Sequence, residues 1–108
     1  MTTPPDDKDR LEAALRIYAD DPLDDGDAVL FLDGKVCLEI SGLAAEWDAV
    51  LRRNTASMLR TTARSVVVAI ARPGATPQPG DVQLWRDLHA ELRDSDVELH
   101  PLRLLPAA

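Results

Sequence analysis

The sequence predicts an α/β fold: a four-stranded mixed sheet in a two-layer or three-layer sandwich, laid down in the order helix, β, β, α, β, α, β. Three observations predict it. Ser65 to Ala71 is apolar after its first residue, rich in β-branched side chains and closed by Arg72-Pro73-Gly74, which fits a strand covered on both faces. Ala28 to Leu32 and Lys35 to Ile40 flank Asp33-Gly34, a strong hairpin signal because a type I′ turn needs positive φ at both central positions. Helical spacing returns before the hairpin and on both sides of the apolar run.

Taken in order, Met1 to Asp7 is polar, with Pro4 and Pro5, and is expected to be a disordered terminus, leaving residues 8–108 as one domain. From Lys8 to Ala19, Leu11, Ala14, Leu15 and Tyr18 recur at helical spacing. Asp20 to Asp27 breaks that pattern with Pro22 and Gly26 and reads as a solvated acidic loop. Started at Asp21, an EF-hand pattern would place Leu23 and Leu32 where ligands are needed.

A two-residue hairpin pairs Leu32 with Lys35, Phe31 with Val36, Leu30 with Cys37 and Val29 with Leu38. Val29, Phe31, Val36, Leu38 and Ile40 then share one face, expected to be the core. Ser41 is expected to cap a long helix from Leu43 to about Thr62, with Leu43, Trp47, Val50, Leu51 and Met58 on one arc, Asn54 in its middle, and Arg53, Arg60 and Arg64 as a separate basic stripe. Pro79 reads as the first and Asp81 as the third residue of a helix reaching Arg93, burying Leu84, Trp85, Leu88 and Leu92. Val97 to Pro101 is the last strand, and Leu102 to Ala108 an apolar tail.

A single helix between two strands returns the chain to its starting end, so the second, third and fourth strands are predicted parallel and the first antiparallel to them. If the strands lie in sequential order, two right-handed crossovers place both later helices on one face. The other face needs cover from the N-terminal helix, the apolar C-terminal tail or a second copy of the protein, and the candidate interface residues are Leu30, Leu32, Leu11, Leu15 and Tyr18. A twofold homodimer is the expected outcome.

Charge and composition narrow the function classes. The formal charge is −7, and Met1 to Asp27 holds nine acidic residues against Lys8, Arg10 and Arg16. That balance disfavours nucleic acid, whose binding depends on neutralised phosphates. No run approaches a membrane span and no signal peptide is evident. Cys37 stands alone, which fits a reducing, cytoplasmic setting and gives no zinc framework. Ten Arg against two Lys is the usage of a GC-rich bacterial genome.

No catalytic, metal or cofactor site is expected: Cys37, His89 and His100 are not at ligand spacing. The loop Arg72 to Gly80 leaves the carboxyl end of a parallel strand and enters a helix, so it is the candidate small-molecule or anion site, with Arg72, Thr76 and Gly80 as its residues and Asp33 or His89 nearby. From Ala28 to Pro106 the order hairpin, helix, strand, helix, strand resembles that of STAS regulatory domains, the anti-sigma-factor antagonist type. That resemblance implies a phosphorylatable hydroxyl where the loop meets the next helix; here the hydroxyl is Thr76, among prolines. The expectation is a non-enzymatic interaction or regulatory module, and the alternative is a ligand-binding protein or small enzyme using residues 72–80.

Overall fold

The computed structural model of the protein describes residues 7–108. The expectation for residues 1–6 lies outside the described residues, and Asp7 already opens the first helix. The elements are α1 (Asp7–Asp20), β1 (Ala28–Leu32), β2 (Lys35–Ile40), α2 (Ala49–Thr62), β3 (Ser65–Arg72), α3 (Pro79–Leu92), β4 (Glu98–Leu99) and β5 (Arg103–Pro106). The sheet runs β2-β1-β3-β4, with β5 also paired to β3. β1 is antiparallel to both neighbours, while β4 and β5 are parallel to β3, so the strand directions agree with the sequence reading.

β1 rather than β2 lies beside β3, and the hairpin turn explains why. Asp33 and Gly34 both have positive φ, 53° and 80°, as the type I′ turn requires. The Asp33 carboxylate accepts the backbone N–H groups of Arg64 and Ser65, each at 3.0 Å, and the Asp33 N–H donates to the Ser65 carbonyl at 2.9 Å. The turn is thus fastened to the first residue of β3.

The hairpin register holds for Leu32 with Lys35 and Phe31 with Val36, then shifts: Leu30 opposes Leu38, Val29 opposes Glu39 and Ala28 opposes Ile40. Cys37 is the extra residue of a bulge. Side chains alternate along a strand, so one inserted residue moves all that follow to the other face. Leu38 and Ile40, expected beside Val29 and Phe31, lie instead with Leu30 and Ala28.

The two faces are also exchanged relative to expectation. Leu30, Leu32, Val66, Val68 and Ile70 pack against Leu43, Ala56 and Leu59 from one crossover and Leu84, Leu88 and Leu92 from the other, forming the main two-layer core. Val29, Phe31, Val67, Ala69 and Ala71 face the opposite way, where the same chain's α1 supplies Tyr18, Leu11 and Leu15. Leu30 and Leu32 are 0% and 8% exposed, so they are core residues and the proposed interface through them is corrected.

Tyr18 fixes α1 in place. Its ring meets Phe31 edge-on, with centroids 6.3 Å apart, and its Oη donates to Glu39 at 2.6 Å. The bulge is what brings Glu39 to that face. Burial, and then the bond to Glu39, push the phenol pKa up from 10.0 to about 12. Tyr18 is the only tyrosine, so titrating tyrosinate absorbance in the folded protein is expected to give one midpoint near 12. The unfolded phenol ionises from about pH 10 while the folded one stays protonated, so stability is expected to decline across that interval. A midpoint at the ordinary value would mean α1 is not docked as described.

The helix after the hairpin starts later than expected. Gly42, at φ 65°, belongs to a turn over residues 41–46, and Asp48 rather than Ser41 caps α2, its Oδ1 accepting the Leu51 N–H at 2.8 Å. With residues 43–47 outside the helix, the apolar arc is not one stripe: Thr55, Ala56 and Leu59 face inward, Val50 is 58% exposed, and Asn54 is exposed and needs no buried partner. From the basic stripe, Arg60 pairs with Glu91 of α3, as does the neighbouring Arg52 at 3.3 Å.

Pro79 and Asp81 occupy the first and third positions of α3, as predicted, in a capping box with Gln78. The last strand is split. Pro101 has no N–H to donate, and residues 100–102 bow away opposite Val67 and Val68 before pairing resumes at Arg103 with Ala69. The apolar tail continues the sheet rather than capping a face, and Ala107 bridges to Leu23.

Candidate functional site

The loop chosen from the sequence is closed by its own charges. Arg72 is the last residue of β3 and is 8% exposed; Asp81, one turn into α3, is fully buried. The guanidinium donates from Nε to Asp81 Oδ2 at 3.0 Å and from Nη2 to Oδ1 at 2.7 Å, a bidentate pair, while Nη1 reaches Asp25 at 3.2 Å. Asp81 Oδ2 also accepts the Gln78 N–H at 3.0 Å. Gly26, at φ 93°, lets the acidic loop pass beside this cluster, where a Cβ would stand 3.6 Å from Arg72 Nη1. Three segments distant in sequence are thereby clamped together.

Burial acts to raise the Asp81 pKa, but the bonds from Arg72 and from the Gln78 backbone outweigh it and hold the carboxyl below its ordinary value. Arg72 is raised above its own ordinary value, first by its bond to Asp81 and despite its burial. An anion entering here would have to displace a carboxylate from Arg72. Thr76 is exposed on the loop, with its Oγ1 3.4 Å from the Gly74 carbonyl, and Gly80 is exposed in the first turn of α3. Asp33 lies at the other end of β3, and His89 stacks on Trp85 on the exposed side of α3, with ring centroids 5.1 Å apart. The structure therefore does not gather the residues predicted for this site.

It gathers another set at the amino end of β3. Ser65 Oγ and His100 Nε2 are 3.0 Å apart and line a cavity of about 290 Å³ with Leu11, Glu12, Gly34, Val67, Pro101 and Arg103. The bowed residues after β4 open this space, and α1 roofs it. The positions are fixed by backbone contacts: the His100 N–H donates to Val66 O at 2.9 Å, its carbonyl accepts Trp85 Nε1 at 2.8 Å, and the Ser65 N–H is held by Asp33. Arg103 reaches Glu12 at 3.4 Å at the mouth, both side chains nearly half exposed.

A serine hydroxyl on an imidazole nitrogen is the first contact of a nucleophile and base. Two further parts would be needed. Among the described residues no acid is bonded to the other ring nitrogen, and the Arg64 and Ser65 N–H groups that could face an oxyanion are occupied by Asp33. What the arrangement offers is a donor and acceptor pair on the wall of an apolar cavity. The sequence hinted at it only through a polar residue heading an apolar strand and a proline directly after His100; the β3/β4 pairing that joins them is tertiary.

Among the described residues, no group of three or more His, Cys, Asp or Glu is placed to hold a metal ion, and no helix is long and apolar enough to cross a membrane. No protein-family model, curated protein or solved structure matches the chain.

Proposed function

We propose that this protein is a non-enzymatic interaction or regulatory module of the cytoplasm that acts as a homodimer joined along the outer edge of β2. The observation that carries the reading is the state of that strand: β2 ends the sheet, and its Leu38 is 40% exposed. An edge strand presents unpaired N–H and C=O groups that a second chain can use. Twofold antiparallel pairing centred on Leu38 would bury that side chain against its mate and extend the sheet across the axis. The bulge at Cys37 confines the pairing to the strand's second half.

The use of charge supports a binding rather than a reactive role. Arg72, Asp81 and Asp25 clamp the fold, and Glu91 ties Arg52 and Arg60 to α3. The element order resembling STAS regulatory domains points the same way. Amide hydrogen exchange tests the edge: the outward amides of residues 38–40 are expected to gain protection as protein concentration rises, and to lose that gain in Leu38→Lys while β3 stays protected. Exchange independent of concentration would exclude the edge.

A further inference from the structure

We infer that the cavity roofed by α1 is a binding site for a small hydroxy-monocarboxylate, one carboxylate on a compact apolar body that also bears a hydroxyl group. The inference goes beyond the homodimer reading and does not depend on it. At about 290 Å³ the cavity lies near the lower limit of small-ligand pockets, so it suits a compact molecule. Leu11, Val67 and Pro101 supply apolar wall for the ligand's body.

The polar groups define both ends of that ligand. Ser65 Oγ and His100 Nε2 form a pair that can both donate and accept, and backbone bonds hold both residues in position, so a ligand hydroxyl can join the pair without reorganising it. Arg103 stands at the mouth with its side chain 45% exposed, and its contact with Glu12 is long at 3.4 Å. A planar guanidinium in that state takes a carboxylate bidentately in exchange for the weaker contact. Among the described residues of the lining, Glu12 is the one side chain that opposes an anion, and the ligand must displace it.

The test uses 4-hydroxybenzoate as the probe and the full chain, followed by amide chemical shifts and calorimetry. Saturable binding is expected, with shifts concentrated at Leu11, Ser65, Val67 and His100. Arg103→Gln, at an exposed position that leaves folding intact, is expected to weaken binding about tenfold, and the neutral 4-hydroxybenzamide to bind wild type correspondingly less well. Glu12→Gln is expected to tighten binding by removing the competing carboxylate. Ser65→Ala is expected to weaken 4-hydroxybenzoate but not benzoate. No saturation by about 10 mM, shifts centred elsewhere, or affinity unchanged in Arg103→Gln would each overturn the assignment.

Discussion

Ile70→Asp is expected to yield no folded, soluble protein. Ile70 is fully buried in β3, paired to Ala28 on one side and Leu104 on the other, and faces the crossover helices among Leu30, Leu59 and Leu84. The buried cation that follows on the same face of β3, Arg72, is already held by Asp81 and Asp25. A carboxylate in place of Ile70 would be desolvated as an ion or forced to stay protonated, and it would remove a large apolar side chain as well. Losses of this kind approach the whole stability of a small domain, roughly 5 to 15 kcal/mol. A cooperative melt within a few degrees of wild type would mean that β3 is not the centre of the sheet.

The second large effect is expected at the clamp. Asp81→Ala leaves Arg72 buried with only the half-exposed Asp25 as partner, and also removes the acceptor that caps α3. Breaking a buried pair on one side costs about 3 to 5 kcal/mol, well above the cost of losing an exposed bridge. The pH dependence carries the sign of a depressed carboxyl. Because the folded Asp81 pKa lies below its unfolded value of 3.8, the contribution is complete above that value and is lost as pH falls through the folded pKa. Urea denaturation from neutral to acid pH should therefore show wild type losing stability below about pH 4, with a shallower decline in Asp81→Asn. Parallel acid limbs in the two proteins would refute the clamp.

Much of this fold was legible in the sequence because local signals agreed with one another. The run after Ser65, the Asp33-Gly34 turn and Pro79 each act within a few residues, and each is where the pattern placed it. What was not legible depends on a single tertiary event. The bulge at Cys37 carries no Gly or Pro to announce it, yet it sends Leu38 and Ile40 to one face and Glu39 to the other, where Tyr18 waits.

The exchange of faces has a similar origin. Alternation shows that Leu30 and Val29 point oppositely, but not which of them the helices cover. As a result Leu30, a candidate interface residue on the sequence alone, is a core residue in this structure. Arg72 was expected to serve a ligand at the start of its loop, but its partners, nine and forty-seven residues away, make it a clamp. Ser65 and His100 meet because β4 pairs in parallel with β3, which sets His100 on the same face as Ser65.

Sedimentation equilibrium of the wild-type chain at tens of micromolar tests the proposed function most directly. Pairing along β2 predicts a species of twice the 11.8 kDa chain mass that shifts to the single-chain mass in Leu38→Lys. A wild-type protein that sediments throughout at the single-chain mass would contradict it.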